Sequence, residues 1–220
     1  LAMLDCKRSY GVRTAFAFSA SNRRAADLER VAEAMLASEG FAVGRVDGTM
    51  LAQARETRLA PLRQHGTSKA ARADVTGALD PTCLVTNCRV LAEGIDLPAV
   101  DLVVFADAKH SHVDILQCMG RASRIAPDKA CGHVLVPVSE AAALAGEGGT
   151  YETAVSVIRA YAEQDEEFRE ALNLIVGDEA RLGRPLSYSE WPAALQRVVS
   201  LPDNALTVKR LLGERMVATV

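Results

Sequence analysis

Two arginines stand three residues apart in the segment QCMGRASR, residues 117–124 of the chain. The planar guanidinium groups of Arg121 and Arg124 suit bidentate binding of phosphate oxygens and stabilisation of a phosphoryl group in transfer. A solvated helix face with two ordinary surface arginines fits the same letters. The segment alone therefore leaves a phosphate site and a surface helix equally open.

The residues before this segment predict the helix that carries it. Ser111 stands three residues ahead of Asp114, a typical N-cap followed by an acid in the first turn. We expect a helix from about Val113 to Ser123. At 3.6 residues per turn, one stripe of this helix collects the polar side chains of Asp114, Gln117, Arg121 and Arg124. The apolar residues Ile115, Leu116, Met119 and Ala122 fall mostly elsewhere and can face a sheet.

A second candidate segment, LVTNCRVLAEGIDLP, covers residues 84–98. An apolar strand leads into a polar loop in which Gly94 permits close backbone approach. The carboxylate of Asp96 can accept from a ribose hydroxyl or hold an arginine. In α/β sheets we expect such loops at the carboxyl ends of the strands, where ligands bind. By itself, the tripeptide GID (residues 94–96) is found more often in ordinary loops than in ligand sites.

The order of these segments is more specific than either one. The stretch EGIDLPAVDLVVFADAKHSHVDILQCMGRASR resembles motifs V and VI of the superfamily 2 helicases and translocases. Upstream, RTAFAFSAS (residues 13–21) resembles motif IV, and VDG (46–48) stands where the family has a short strand followed by glycine. The resemblance covers about residues 12–138. It is strongest to DEAD/DEAH-type bacterial DNA helicases with helicase-associated tails and to the motor part of some restriction enzymes.

The resemblance implies a role for each matching residue on the nucleotide side. Arg121 and Arg124 match the arginine fingers that reach across a cleft to the γ-phosphate of ATP. Gln117 matches the residue that couples the nucleotide to neighbouring motifs. Asp96 matches the acid near the ribose or the arginine finger, with Gly94 as its companion.

The resemblance also implies contacts with a nucleic-acid backbone. Ser19 and Ser21 match the motif IV residues that make them. Many family members have a threonine six residues before the motif V glycine, where this chain has Cys88. Contacts from this loop would then come from Thr86, Asn87, Arg89 and backbone amides.

Other expected parts of a motor are missing from the sequence. The chain has no GKS or GKT phosphate loop, so we expect ATP and Mg²⁺ to be held mostly by a first RecA-like motor domain of the same longer protein. By itself the chain should be inactive. DEAR at 178–181 imitates the acidic Mg²⁺ motif, but it follows motif VI, and we expect a helical tail there. His110 and His112 stand near Cys118 without a fourth ligand at metal-site spacing, so we expect no metal site.

The elements that must position these residues alternate along the first 140 residues. Short apolar runs predict strands at 14–18, 42–46, 83–86, 102–105 and 133–136, and helical patterns separate them at 22–38 and 51–62. Leu28, Val31, Met35 and Leu36 should form the buried face of the first of these helices, which Gly40 should end. Strands that alternate with helices predict an α/β fold with five parallel strands, here a RecA-like sheet sandwiched by helices.

The remainder of the chain has a different character. The small-residue segment SEAAALAGEGG (139–149) predicts a linker, and helical patterns follow at 151–176, 189–200 and 204–217. We expect residues 1–140 to form a helicase C-terminal domain and 141–220 a helical helicase-associated extension. The segment 64–80 fits a loop or a weak helix.

Composition and charge limit the alternatives. No apolar run reaches the roughly 18–20 residues of a membrane span, and five cysteines without a CxxC pair favour a reducing compartment. We expect a cytoplasmic protein, nucleoid-associated in a bacterium, that begins at Leu1 because it is a piece of a longer chain. We expect DNA rather than RNA as its track. The net charge of −3 and the missing phosphate loop keep open a non-hydrolysing binding or regulatory module with this fold.

Overall fold

The computed structural model describes residues 2–65, 82–88, 100–109, 111–126, 129, 131–138, 149–184 and 186–200. The chain divides into two compact units, Leu1–Pro137 and Val138–Val220. Most of the predicted linker, most of the 64–80 segment and the predicted helix at 204–217 lie outside the described residues. The division falls close to the boundary at 140/141, and the role of the second unit stays a prediction.

The first unit is an α/β domain built on one parallel sheet. In chain order its elements are α1 (Ala2–Tyr10), β1 (Thr14–Phe18), α2 (Asn22–Leu36), β2 (Phe41–Arg45), α3 (Ala52–His65), β3 (Thr82–Asn87), β4 (Leu102–Phe105), α4 (His112–Ser123) and β5 (His133–Leu135). The five strands are ordered β2-β3-β1-β4-β5, and every pairing is parallel. The predicted fold class is confirmed, and the bounds of β1 and β4 match the prediction.

Strand β1 lies at the centre of the sheet. Its five residues, TAFAF, are all buried, because helices cover both faces. Thr14 is in register with Cys83 of β3 on one side, and Ala15 is in register with Leu102 of β4 on the other. A strand in this position delivers the residue that follows it, Ser19, to the carboxyl edge of the sheet.

Helix α2 starts and stops where local signals predict. At its start, the Ser21 hydroxyl accepts a hydrogen bond from the Arg24 backbone N–H at 3.2 Å. At its end, a 3₁₀ turn follows the helix, and Gly40 ends that turn in the left-handed region with φ of 73°. The buried face of the helix was predicted only in part. Leu36 is buried as expected and Leu28 packs against the same cluster. The other buried residues are Ala25 and Ala32. Val31 and Met35 are 49% and 65% exposed. Small alanines let this helix approach the sheet closely.

Helix α1 was missed by the sequence analysis. Met3, Leu4 and Cys6 pack on the same cluster as α2, over the middle of the sheet. Lys7 extends from α1 to the turn that follows α2, where its ammonium donates to the Glu39 and Gly40 carbonyls and lies 4.8 Å from the ring centroid of Phe41. These contacts fix the start of β2.

The described residues of the second unit form helices joined by short turns, with no strand among them. It contains α5 (Gly149–Ala162), α6 (Glu166–Leu182), a 3₁₀ turn (Tyr188–Glu190) and α7 (Ala193–Val198) around a core that includes Phe168, Ile175, Trp191 and Leu195. The single helix expected at 151–176 is in fact two. Asp165 starts the second by accepting from the Phe168 N–H at 2.9 Å. DEAR lies inside α6, as predicted. No helix among the described residues is long and apolar enough to cross a membrane.

A carboxylate in the second unit predicts how its stability depends on pH. Glu190 accepts two bonds from Arg184, at 2.7 and 3.1 Å, and also bonds from the N–H and hydroxyl of Ser187, so its pKa is lowered to about 2. The stabilisation is complete above the ordinary value of 4.5 and is lost as pH falls through about 2. In thermal melts followed by Trp191 fluorescence, the melting temperature of Glu190→Gln should lie below that of the parent at neutral pH. This difference should shrink as the pH falls from 4.5 to about 2. The control Glu170→Gln should show no such gap, and a pH-independent deficit in Glu190→Gln would contradict the assignment.

Candidate nucleotide and nucleic-acid surfaces

Helix α4 begins as its sequence predicts. The Ser111 hydroxyl accepts from the Asp114 N–H at 3.3 Å, and the helix runs from His112 to Ser123. Its buried side is formed by Ile115, Cys118, Met119 and Ala122, while Leu116 is half-buried. The helix therefore packs by one face, as expected.

The three polar residues predicted to act on a nucleotide are not in equivalent environments. Gln117 is exposed, whereas Arg121 is only 8% exposed. Arg124 lies beyond the last turn, at the C-cap, with an extended backbone (φ −62°, ψ 132°) and an exposed side chain. The expected single stripe is thus wrong at its end. The Arg121 side chain projects from the last turn of the helix, and the Arg124 side chain projects from the extended chain that follows it.

The loop before α4 brings a lysine onto the carboxyl edge of the sheet. The Lys109 ammonium lies 3.5 Å from the Asp114 carboxylate and 5.7 Å from the ring centroid of Phe18. Burial raises the pKa of the neighbouring Cys118 thiol to about 11, and Lys109 only partly opposes that shift. Cys118 thus stays a protonated core residue. His110 lies outside the described residues, and no metal-ligating group of three or more His, Cys, Asp or Glu occurs within them.

Only the beginning of the predicted motif V loop is described. Gly94, Asp96 and Arg89 lie outside the described residues, and their roles stay predictions. Thr86 and Asn87 end β3 and are fully buried. Thr86 donates to the Ala25 carbonyl at 2.9 Å, and the Asn87 amide donates to the Ala17 carbonyl at 3.2 Å. Both side chains donate to backbone carbonyls inside the domain, while the Asn87 Oδ1 has no hydrogen-bond partner within the described residues. Their contact with a nucleic-acid backbone stays a prediction.

Ser19 and Ser21 follow β1 at the carboxyl edge. The Ser19 N–H donates to the Asn87 carbonyl at 2.8 Å, which fixes the backbone of the loop. Ser19 is 5% exposed, and its hydroxyl has no hydrogen-bond partner within the described residues. A buried hydroxyl without a partner is costly unless a ligand supplies one. Ser21 instead caps α2 with its own hydroxyl.

Ser19 opens into a cavity that the sequence analysis did not foresee. The cavity, about 560 Å³, lies between the start of α2 and the end of β4 and is lined by Ser19, Arg23, Arg24, Asp27, Leu28, Val31, Ala106 and Asp107. Asp107 organises one wall, since its carboxylate accepts from the Ala20 N–H at 2.9 Å and lies 2.6 Å from the Arg24 guanidinium. The letters SNRR, a small polar loop entering a helix with two arginines, were the signal that could have indicated it.

The arginines of α4 lie at the other edge of the sheet. The last turn of α4 is bonded through Lys129 to Val100, which precedes β4, and touches Gly132, which precedes β5. These are the amino ends of the two strands, whereas the Ser19 cavity lies at the carboxyl end of β4. At about 3.3 Å per residue, a four-residue strand separates the two surfaces by roughly 13 Å. Arg121 and Arg124 therefore lie near the amino edge of the sheet, away from the Ser19 cavity.

Known structures share this fold. The chain is similar to the ATP-dependent Type ISP restriction-modification enzyme LlaBIII bound to DNA, with 22% identity and a TM-score of 0.60, over 94% of this chain and 13% of that one. Two further similar structures are Mycobacterium smegmatis helicase Lhr bound to ssDNA and AMP-PNP (20% identity, TM-score 0.49, 94% of this chain and 25% of that one) and S. cerevisiae Dbp5 bound to RNA and ADP BeF3 (18%, 0.47, 72% and 35%). This chain thus spans a small part of LlaBIII, and at such identities the likeness concerns the fold.

The family comparison is more specific. Among curated proteins no significant match is found. The model of the helicase conserved C-terminal domain matches residues 3–126, which is more than half of the 220 residues. This range includes β1 with Ser19 and the whole of α4 up to Arg124. The chain therefore belongs to the helicase conserved C-terminal domain family.

Proposed function

We propose that this chain is the second motor domain of an ATP-dependent DNA helicase or translocase. It would supply Arg121 and Arg124 to an ATP site shared with a first motor domain and would hold DNA at the opposite edge of its sheet. The observation that carries the proposal is the pair of surfaces itself. At one edge of the sheet, α4 ends with the guanidinium groups of Arg121 and Arg124. At the other edge, the buried Ser19 hydroxyl, which has no partner among the described residues, lies beside a cavity that Arg23 and Arg24 also line.

On the nucleotide side, the residues suit an anionic ligand that approaches from outside the domain. Arg124 is exposed on extended chain, so its guanidinium can reach across a cleft, while packing around Arg121 limits the conformations open to its side chain. Bidentate donors fixed before the reaction stabilise charge on a transferring phosphoryl group at little reorganisation cost. Gln117 is exposed on the same helix. From the family resemblance, Gly94 and Asp96 would contribute to binding the same nucleotide. Mg²⁺ and most phosphate contacts would come from the first domain.

On the nucleic-acid side, the cavity suits a phosphate of the backbone. Ser19, with its buried hydroxyl, and Arg23 both line this cavity at the start of α2. The ion pair with Asp107 engages Arg24 and restrains that side chain, and the positive end of the helix dipole favours an anion. We propose DNA rather than RNA, since LlaBIII was solved bound to DNA.

Together these surfaces support a stepping cycle. Closure of the cleft on ATP and opening after hydrolysis would move the Ser19 loop relative to the backbone it holds, one domain against the other. The contacts position a strand without reading bases, because they are made to phosphate. This chain's contribution is a rigid sheet with a donor group at each edge.

Salt-dependent DNA binding by the chain tests the nucleic-acid surface. We expect weak binding to a labelled single strand, with a shallow log–log salt slope of about 2 in magnitude. Arg23→Ala should lower that slope by about 0.7, the value per neutralised phosphate on single strands. Ser19→Ala should weaken binding several-fold without changing the slope, because it removes a neutral donor.

Arg8→Ala is the matched control. The Arg8 side chain on α1 is 67% exposed and pairs with Glu39, and neither residue lines the cavity. Its loss should leave the slope unchanged. Parent-like binding by both Arg23→Ala and Ser19→Ala would place the DNA surface elsewhere on the chain.

A further inference from the structure

The ammonium group of Lys129 is bound by three backbone carbonyls from two parts of the domain. It donates to Val100 O at 2.9 Å, to Arg124 O at 3.1 Å and to Ala122 O. An ammonium has three N–H donors, so this group is saturated. Ala122 lies in the last turn of α4 and Arg124 is its C-cap, where unpaired carbonyls carry the negative end of the helix dipole. Lys129 thus caps the helix that carries the arginines.

Gly132 presses on the same turn from another side. A Cβ atom at this position would lie 2.0 Å from Ala122 O and 2.6 Å from Ala122 C, both backbone atoms that no side-chain rotation can move away. Only a residue without a side chain allows this approach. The chain that enters β5 is therefore packed directly against the carbonyl that Lys129 also holds.

The third carbonyl extends this arrangement to the chain that enters β4. Val100 is buried and lies two residues before the first residue of β4. Burial lowers the pKa of the Lys129 ammonium while the Asp101 carboxylate opposes that shift, so these bonds lie in a partly desolvated site, where they count for more. One side chain thereby connects the backbone just before β4 to the last turn of α4.

We propose that Lys129 and Gly132 are positioning residues for the Arg121 and Arg124 guanidinium groups. They hold the last turn of α4 so that the arginines are preorganised for the phosphate rather than ordered at each turnover. Misplacement of a catalytic group by about 1 Å can cost 10²-fold in rate. The inference rests on the proposed function. It adds two residues that support catalysis without touching a substrate.

The test compares two lysines that both donate to carbonyls near a helix end. Lys129→Met is expected to lower the kcat for ATP by about 10- to 100-fold in a protein that carries both motor domains, with the KM for ATP changed less than about 3-fold. Lys129→Arg should recover part of the loss, because guanidinium keeps the charge and several donors. Lys7→Met removes the comparable bonds to Glu39 and Gly40, far along the sheet from α4, and should leave kcat within about twofold.

A second measurement uses the chain by itself. Amide hydrogen exchange at Ala122–Arg124 should speed up in Lys129→Met and stay unchanged in Lys7→Met, since only the first loses its helix cap. Gly132→Ala should show the same local increase and the same fall in kcat. If Lys129→Met does not fold, Lys129→Arg and Gly132→Ala decide the question.

The outcomes separate this inference from the function on which it rests. If Arg121→Lys and Arg124→Lys lose turnover while Lys129→Met and Gly132→Ala keep a kcat within twofold of the parent, the positioning role is overturned and the motor function stands. An equal loss in Lys7→Met would reduce the effect to general stability and also overturn it. Normal turnover in both arginine variants would overturn both proposals.

Discussion

Arg124→Lys, in a protein that carries both motor domains, is expected to lower ATP turnover by about 10³-fold or more, the scale associated with arginine fingers. Lysine keeps the charge but loses the planar fork that binds two phosphate oxygens at once. Arg124 is exposed at the C-cap, so the change should leave the domain folded. Arg121→Lys should lower turnover on the same scale. ATP binding should fall much less in both variants, since most phosphate contacts would lie on the first domain.

Steady-state turnover and nucleotide binding, measured on the same preparations, check this expectation. Arg30→Lys is the control, because it makes the same chemical change at an exposed position on α2. Near-normal turnover in both Arg121→Lys and Arg124→Lys would show that the two arginines of α4 have no catalytic role. The chain would then be better described as a non-hydrolysing module with a helicase fold.

Phe105→Ala is expected to destabilise the first unit by about 3–5 kcal/mol. Phe105 is fully buried at the end of β4, and its ring centroid lies 6.3 Å from that of Phe18. The chain just beyond it is held by the Ala106 N–H, which donates to Phe18 O at 3.0 Å. The substitution thus leaves a cavity directly beneath the Ser19 loop, and DNA binding should weaken together with stability.

Urea unfolding of the chain, followed by circular dichroism, measures this cost. Tyr10→Ala is the aromatic control: its ring is 48% exposed and stacks on His133 with centroids 4.6 Å apart. A pair of this kind contributes about 0.5–1.5 kcal/mol. If Phe105→Ala costs no more than Tyr10→Ala, Phe105 does not support the carboxyl edge as argued.

The parts of this fold that local chemistry decides were predictable from sequence. Strands β1 and β4 are short runs of apolar residues because both faces are covered, so their bounds followed directly from hydrophobicity. The N-cap hydrogen bonds of Ser21 and Ser111 involve only the serine and the first turn of its own helix, so a short stretch of sequence is enough to predict them. The order of the motif segments along the chain indicated the family to which they belong.

The parts that depend on distant residues were not predictable. Arg124 leaves the helix where Lys129 supplies donors to the last carbonyls, and no local pattern contains that contact. Val31 and Met35 looked like core residues, but the sheet instead accepts the small Ala25 and Ala32 at close approach. The cavity beside Ser19 needs Asp107 to come next to Arg24, although the two are far apart in the sequence.

The central place of β1 in the sheet has a consequence for how the protein folds. β1 is the first strand to be made, yet its two neighbours are β3 and β4, so each of its hydrogen-bonded edges waits for chain that is synthesised much later. Pairings of such large sequence separation form slowly, because loop-closure entropy is lost before contacts are gained. Until Asn87 has left the ribosome, TAFAF is an apolar strand with both edges open, and the edge that pairs with β4 stays open until Phe105 follows. An open edge of this kind pairs with other chains. A nascent or truncated chain that stops before β4 therefore exposes its most aggregation-prone strand, and the domain acquires a closed core only when β4 pairs with β1.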